Sequence, residues 1–301
     1  MINPLPRLPE FEYVCLDTIE ATVQFLQAHA GEARPFLGGT DTFVGLRDRT
    51  FKDKYLVDLK HLEGFNPLSF DPKLGLTIGA AVSLNQLISS EDVNAHYPVL
   101  AQAARYVGGY QLRNRATLVG NICNASPCGD TIGPSILYGG EVNILGPGGK
   151  RIIPLEAFFL GPGKTVLDEG EIVQSISFPV PTKGNKGTYV CIGRTKLADL
   201  AIVGVTVLAY PKDQNASGYV FKIALSSVAP TVIVLEDVSN VLSEGSIDTS
   251  NLEKVANLAR AKCKPIDDIR ASARYRRDMI RTLTYRALDI VIEKLNGKME
   301  G

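Results

Sequence analysis

One stretch of fourteen residues carries most of the groups in this chain that can bind a polar ligand. It runs from Thr117 to Asp130 and contains two glycines, two asparagines, a threonine, a serine and an aspartate. Glycine lets a backbone approach a ligand closely and present its N–H groups, and the polar side chains add hydroxyl, amide and carboxylate partners. A second glycine-rich turn, Gly38 to Asp41, has the same character. The pair predicts one long phosphate-bearing ligand held from two places.

These residues also have plain structural roles. The turn from Gly38 to Asp41 can donate backbone N–H groups to a pyrophosphate as an anion-binding nest, but ordinary surface turns use the same residues. Asn124 and Ser126 are also common turn formers. Asp130 can accept from a sugar hydroxyl, or it can cap a helix predicted from Thr131 to Leu137. Both roles stay open for Asp130.

The bulk composition excludes several classes of function. The chain has 301 residues, and its 32 Lys plus Arg balance 32 Asp plus Glu, so nothing favours nucleic acid or an anionic membrane. The longest apolar run, Leu200 to Tyr210, is too short to span a bilayer, and Met1 to Glu10 does not read as a signal peptide. The five cysteines form no C-x-x-C pair, which favours a reducing cytoplasm. We expect Cys123 and Cys128 to be free thiols.

No group in the sequence predicts a metal site or an acid–base centre. The three histidines lie in no metal-binding or triad spacing. The segment Gly163 to Thr165 resembles only the tail of a P-loop, because Phe158 replaces the leading glycine. There is no G-x-G-x-x-G fingerprint for a Rossmann unit. We therefore predict neither a catalytic residue nor a metal ligand.

The elements that must position these residues predict an α+β chain in two domains. The first is expected at residues 1–181, with subdomains at about 1–60 and 61–181, and the second at residues 187–296. The segment Pro181 to Lys186 is the predicted linker. Strands followed by helices indicate a separate α+β C-terminal domain.

Several local patterns give sharper expectations. Asp17 is predicted to cap a first helix. Leu74, Leu76 and Ile78 alternate as one half-buried strand, and a helix is expected from Pro98 to Val107. Further elements are a hairpin over Glu141 to Leu155, a strand over Glu171 to Val180, strands at Thr188 to Ile192, Ala201 to Tyr210 and Tyr219 to Val228, and helices over Asn251 to Ala261 and Arg270 to Leu295. The basic run Arg270, Arg274, Arg276, Arg277 and Arg281 is expected to be a solvated helix face or a docking face for a partner.

Two motifs carry a family resemblance. Phe36-Leu37-Gly38-Gly39-Thr40-Asp41 resembles the signature A-G-G-T-D, and Thr117 to Asp130 is similar to T-x-G-G-N-I-x-x-A-S-P-x-x-D. Val119 stands where many relatives have glycine. Together the motifs resemble the FAD-binding medium subunit of the molybdenum hydroxylases, the group of xanthine dehydrogenase and aerobic carbon monoxide dehydrogenase. The resemblance implies a two-part FAD-binding domain of the vanillyl-alcohol-oxidase type before the C-terminal domain.

A third patch, Tyr189 to Ala201, resembles the family pattern Y-x-K-x-x-R-x-x-x-x-D-x-A. Tyr189 matches a position that can lie against the flavin ring. Cys191 replaces the family lysine, and Lys196 is a nearby alternative cation. Carried over residue by residue, the resemblance implies FAD contacts from the following positions: Leu37, Gly38, Gly39, Thr40, Asp41, Val107, Gly108, Thr117, Gly120, Asn121, Asn124, Ser126, Asp130, Ile172 and Tyr189.

The resemblance implies an oxidoreductase subunit that transfers electrons. FAD would receive them from [2Fe–2S] centres on a small partner subunit, reduced in turn by molybdopterin on a large one, and NAD⁺, a quinone or another acceptor would take them. The redox chemistry then belongs to the cofactor, and the protein supplies binding and orientation. Two alternatives stay open: a self-sufficient flavin oxidoreductase with its own small substrate, and an assembly subunit without flavin.

Overall fold

The first part of the chain is a small parallel sheet flanked by helices. The computed structural model describes residues 7–195, 199–236, 241–242 and 247–297. The three strands pair in the order β1-β3-β2. The elements are β1 (Glu12–Cys15), α1 (Ile19–Ala28), β2 (Ala33–Phe36), α2 (Thr42–Arg47) and β3 (Tyr55–Asp58). Because parallel strands end at the same edge, Phe36 and Asp58 lie side by side just before the first glycine turn.

The cap of α1 differs from the prediction. The Thr18 side chain, not that of Asp17, accepts from the backbone N–H of Ala21 at 3.1 Å. Thr18 has the extended backbone that lets a short side-chain oxygen turn back to the helix. The prediction placed the cap one residue early.

A five-stranded antiparallel sheet and six short helices form the next part. The sheet order is β4-β5-β10-β6-β7, with β6 and β7 joined as the predicted hairpin. The elements are β4 (Leu68–Asp71), β5 (Gly75–Gly79), α3 (Leu84–Ser89), α4 (Glu91–His96), α5 (Pro98–Ala104), α6 (Tyr110–Arg113), α7 (Leu118–Asn124), α8 (Ile132–Leu137), β6 (Glu141–Gly146), β7 (Gly149–Pro154), the short pair β8 (Phe159–Gly161) and β9 (Lys164–Thr165), and β10 (Ile172–Phe178).

Two expectations in this part are wrong. Leu76 and Ile78 are buried, but the Leu74 residue is 82% exposed because the strand begins only at Gly75. Helix α5 ends at Ala104, three residues before the predicted end. The chain then turns, and the guanidinium Nη1 of Arg113 donates to the carbonyl groups of Arg105, Val107 and Gly108. These bonds satisfy carbonyls that a longer helix would have used internally.

The last part is an antiparallel sheet covered on both faces. The strands are β11 (Lys186–Ile192), β12 (Val203–Pro211), β13 (Tyr219–Ser226) and β14 (Ile233–Val234), and the long helices are α9 (Thr249–Lys262) and α10 (Ala273–Leu295). Alternate residues of β12 face opposite sides. Val203, Val205 and Val207 pack with the two long helices, whereas Leu208 belongs to the core that contains α5 and α8.

The basic run on α10 is not wholly solvated. Arg276 is 2% exposed, and its guanidinium donates to the Ile202 carbonyl at 2.6 Å and to the Asp268 carboxylate at 2.8 Å. Arg274, Arg277 and Arg281 are exposed as expected. Among the described residues, no helix has the length and apolar character needed to cross a membrane.

Candidate functional site

A cavity of about 620 Å³ lies where the two glycine-containing segments meet. Its volume falls within the range of about 300–1,000 Å³ that small-molecule and cofactor sites have. Fourteen of the fifteen predicted site residues line it: Leu37, Gly38, Gly39, Thr40, Asp41, Val107, Gly108, Thr117, Gly120, Asn121, Asn124, Ser126, Asp130 and Ile172. The structure therefore brings together residues that lie up to 135 positions apart, from 37 to 172.

The first glycine turn offers unpaired backbone donors at the cavity wall. Across the described parts of the chain, no protein group accepts from the backbone N–H groups of Gly38, Gly39, Thr40 and Asp41. Gly39 has φ +74°, which favours glycine. A run of free N–H groups in a turn of this kind suits an anion such as a diphosphate.

The two segments are in direct backbone contact. A Cβ placed on Gly38 would lie 2.0 Å from the carbonyl oxygen of Arg115. Such a distance is impossible for a real side chain, so only glycine allows the first turn to approach the chain before α7. Gly38 therefore sets the width of the cavity at this point.

Much of the second segment is helix rather than an open loop. Helix α7 begins after Thr117, whose hydroxyl accepts from the backbone N–H of Gly120 at 2.9 Å. The Thr131 hydroxyl donates to Oδ1 of Asn121 at 2.8 Å. The Asn121 amide nitrogen has no partner among the described residues and can donate to a ligand. Leu118 and Val119 are buried, so the helix packs these side chains into the core.

Asp130 faces the cavity and does not cap α8. Its Oδ1 accepts from the hydroxyl of Tyr189 at 2.5 Å, and the residue is 6% exposed. The α8 cap position is Thr131, with no side-chain cap bond. Burial raises the pKa of Asp130 to about 6, although the Tyr189 hydrogen bond opposes the rise. The capping interpretation was therefore wrong.

Tyr189 is the predicted residue that does not line the cavity. It is 0% exposed and lies behind Asp130. Its backbone N–H donates to Oε1 of Gln102 at 2.9 Å, and its ring packs edge-on against Tyr106. This placement gives no support to the predicted contact with a flavin ring. Lys196, the alternative cation, lies outside the described residues.

Sequence reasoning missed other residues of the cavity wall. Arg34 lies 3.7 Å above the ring of Phe51, and its Nε donates to Asp53 at 2.7 Å. Glu171 is held by Arg151, whose Nε donates to it at 2.6 Å. The only signal for Arg34 was its place in the strand that leads to Gly38. No local pattern in the sequence pointed to Glu171, because its partner Arg151 is twenty residues away on β7.

An ion-pair cluster around the buried Asp58 carboxylate lies beside the first turn, where Lys60 Nζ also reaches the Leu37 carbonyl oxygen at 3.5 Å. Asp58 is 1% exposed and accepts from the Tyr13 hydroxyl and from Lys60 Nζ at 2.6 Å, and its Oδ2 lies 2.9 Å from His61 Nε2. Burial alone would raise the pKa of Asp58, but the hydrogen bonds from Lys60 and Tyr13 outweigh it and hold the pKa below its usual value. Cys15 is close enough to complete a three-ligand group. The Lys60 ammonium already neutralises the carboxylate, so we assign the cluster a structural role.

Comparison with known proteins identifies the family. A profile described as "FAD binding domain in molybdopterin dehydrogenase" matches residues 9–181, and one described as "CO dehydrogenase flavoprotein C-terminal domain" matches residues 189–291. The chain belongs to this family of FAD-binding subunits. The carbon monoxide dehydrogenase medium chain of Hydrogenophaga pseudoflava is 30% identical over 281 residues, which cover 93% of this chain and 96% of the relative.

Further relatives agree. The xanthine dehydrogenase FAD-binding subunit of Escherichia coli O157:H7 is 27% identical over 276 residues, which cover 91% of this chain and 94% of the relative. A solved carbon monoxide dehydrogenase structure from Hydrogenophaga pseudoflava superposes with a TM-score of 0.90 at 29% identity, over 95% of this chain and 98% of that chain. The chain thus belongs to the FAD-binding medium subunits of the molybdenum hydroxylase family, and its fold is the FAD-binding domain plus the C-terminal domain of that group.

The groups that line the cavity are chemically suited to binding FAD. The free N–H groups of the first turn fit a diphosphate. Asn121 and Asp130 supply a donor and an acceptor for hydroxyl-bearing parts of the ligand. Apolar wall residues such as Val107 and Ile172 can contact ring systems. The donor set therefore matches a long ligand with phosphates, hydroxyls and flat rings.

Proposed function

We propose that this subunit carries electrons from [2Fe–2S] centres on a small partner subunit, through FAD, to NAD⁺, a quinone or another acceptor. The [2Fe–2S] centres would be reduced by molybdopterin on a large subunit. Membership of the family and the names of its relatives as medium chains support this role. The observation that carries the assignment of FAD to the cavity is the turn of four N–H groups, unpaired among the described residues, at a wall that the second glycine segment shares.

Within this proposal each part of the cavity has a distinct task. Gly38 to Asp41 hold the diphosphate through their backbone N–H groups. The Asn121 amide donates to phosphate or ribityl oxygens, and Asp130 accepts from a ribityl hydroxyl. Thr117, Gly120, Asn124 and Ser126 complete the polar wall, and Leu37, Val107, Gly108 and Ile172 complete the rest. FAD supplies the redox chemistry when it is bound, and the protein orients it and excludes water.

The domain division follows from the same proposal. We assign residues 1–181 to FAD binding and residues 187–296 to the C-terminal domain, joined near Pro181. A cytoplasmic location is supported by the cysteine spacing, which fits no disulfide framework.

The first test is the flavin content of the purified full chain, alone and with its partner subunits. We expect flavin absorbance bands, and FAD rather than FMN in the supernatant after heat release. A colourless protein that also fails to take up FAD within the assembled complex would rule out FAD at this site. Colour only in the complex would mean that partner subunits complete the site.

The second test separates electron transfer from self-sufficient catalysis. Under anaerobic conditions, the substrate of the large subunit should reduce the flavin only when both partner subunits are present. Reduction of the isolated chain by a small organic substrate would instead favour an independent flavin oxidoreductase. The acceptor is then found by comparing NAD⁺ with a soluble quinone as the oxidant of the reduced complex.

A further inference from the structure

Tyr189 does not line the cavity, but it is hydrogen-bonded to Asp130, which does. The tyrosine is 0% exposed and its hydroxyl donates to Oδ1 of Asp130 at 2.5 Å. Asp130 lines the cavity and is 6% exposed. The hydrogen bond joins the C-terminal sheet, through β11, to the segment after α7. The two residues are 59 positions apart in sequence.

The surroundings of Tyr189 fix its hydroxyl in place. Gly204 on β12 leaves room for it, since a Cβ there would lie 2.8 Å from the Tyr189 oxygen. Gln102 accepts from the Tyr189 backbone N–H, and the Tyr106 ring packs edge-on at 5.6 Å between centroids. A hydroxyl held on several sides loses little further freedom when it donates to a carboxylate.

The bond occupies one oxygen of the carboxylate and leaves the other for a ligand. Among the described residues, no side chain other than Tyr189 donates to the Asp130 carboxylate, and the further hydrogen bond to it comes from its own backbone N–H. We propose that Tyr189 is a positioning residue: its hydroxyl orients the Asp130 carboxylate so that the free oxygen accepts a ribityl or sugar hydroxyl of the ligand in the cavity. This inference rests on the assignment of FAD to the cavity.

Of the titratable groups that lie around the Asp130 carboxylate, including Asp130 itself, only Asp130 changes charge near neutral pH. Tyr189 and Cys191 face it from β11, and Tyr106 faces it from the turn after α5. Burial raises the pKa of Cys191 to about 12 and raises the pKa values of Tyr106 and Tyr189, so all three stay neutral near pH 6. Burial also raises the pKa of Asp130 to about 6, and the Tyr189 donor, which favours the ionised form, opposes this.

The sign of the pH effect follows directly. Protonation removes Asp130 as an ionised acceptor, so FAD affinity should fall as the pH drops through about 6. Loss of the Tyr189 hydroxyl removes a donor to the charged form and raises the pKa of Asp130 further. The fall in affinity should then begin at a higher pH.

The test is an FAD titration of the flavin-free full chain, followed by quenching of FAD fluorescence between about pH 5 and pH 8, on either side of the Asp130 pKa. The variants are Tyr189→Phe, Asp130→Asn and their combination. The matched control is Tyr210→Phe, which removes a hydroxyl from the same sheet that donates to the Leu137 carbonyl at 3.0 Å and is not part of the cavity wall.

We expect Tyr189→Phe to weaken FAD binding about tenfold at pH 7, because the Asp130 carboxylate, no longer oriented, loses its hydrogen bond to the ligand hydroxyl. Its affinity should decline at a higher pH than that of the natural chain. Asp130→Asn should bind weakly and without this pH dependence, and the double variant should be no weaker than Asp130→Asn. Tyr210→Phe should leave the profile unchanged.

Two results would overturn the inference while FAD binding by the natural chain stands. One is a Tyr189→Phe profile that coincides with the natural one, or that Tyr210→Phe reproduces. The other is an Asp130→Asn variant that keeps the natural pH profile, a result that decides the matter even if Tyr189→Phe fails to fold. Absence of FAD binding in the natural chain and its complex would instead reject the proposed function.

Discussion

At the scale of single residues, Gly38 shows how backbone contact builds the cavity. The position tolerates no Cβ because the Arg115 carbonyl oxygen would lie 2.0 Å from it. A larger residue must push the first turn away from the chain before α7. The four N–H groups of the turn, which have no partner among the described residues, would then lie farther from the second segment.

We therefore expect Gly38→Ala to reduce FAD affinity by at least about tenfold, equivalent to about 1.4 kcal/mol. The matched control is Gly148→Ala, a hairpin glycine whose added Cβ would have no atom within 4 Å. Fluorescence titration with FAD measures both variants. Equal affinities would show that the contact between the two segments does not shape the site.

The Asp58 cluster gives a second prediction at this scale. Asp58→Asn removes the charge that Lys60 and His61 approach, and it leaves the Lys60 ammonium beside an uncharged amide. We expect a loss of about 2 kcal/mol in the free energy of unfolding, because one partner of a buried pair is removed. Chemical denaturation measures it, with Asp71→Asn on an exposed turn as the control.

At the scale of elements, the segment between α9 and α10 ties the C-terminal helices to the sheet. Asp268 accepts from the side chains of both Arg270 and Arg276. The Arg270 guanidinium also reaches Sγ of Cys128 at 3.4 Å, on the cavity wall. Arg276 crosses the sheet edge to the carbonyl groups of Ile202 and Ser227.

Removal of the Arg276 side chain should therefore lower the stability of the fold. Arg276→Ala removes one of the donors to the Asp268 carboxylate and takes the guanidinium away from the Ile202 and Ser227 carbonyl groups, and we expect it to destabilise the fold by about 3 kcal/mol. Arg274→Ala, at an exposed position on the same helix, should change stability by less than about 0.5 kcal/mol. Thermal and urea unfolding compare the two. Similar losses in both would contradict the buried role.

The same elements show what a sequence can reveal. The hairpin of β6 and β7 and the strand β12 were predictable, because alternation and turn residues are local signals. The pairing of Tyr189 with Asp130 was not, since it depends on how the C-terminal sheet packs on the segment after α7. Arg276 was misassigned for a similar reason, because its burial depends on the Ile202 and Ser227 carbonyl groups, which are far from it in sequence.

At the scale of the whole molecule, the first and second domains share a core. Tyr189, Leu208 and Ala224 of the C-terminal sheet pack into the same buried cluster as α5 and α8. Gly133 on α8 allows this approach, because an added Cβ would lie 2.8 Å from the Thr206 hydroxyl. The C-terminal domain therefore buries part of the apolar surface of the FAD-binding region.

A fragment of residues 1–181 should consequently be defective. It would expose the face of α5 and α8 that β11 to β13 cover, and it would lack the Tyr189 donor to Asp130. We expect aggregation or loss of FAD binding, measured by size-exclusion chromatography and FAD titration against the full chain. A monomeric fragment with full FAD affinity would show that the domains are independent.

The assembly of the cavity wall from several parts of the chain has a consequence for the amount of this protein in the cell. Its wall is assembled from β2 and the first turn, from α7 and β10, and from Leu200 before β12. A ligand that binds all of these only in the folded state stabilises that state by mass action, by about 2.7 kcal/mol when free FAD is at 100 times its dissociation constant. Riboflavin starvation should therefore lower the amount of this subunit as well as its activity, because more of the flavin-free chain would unfold and be degraded.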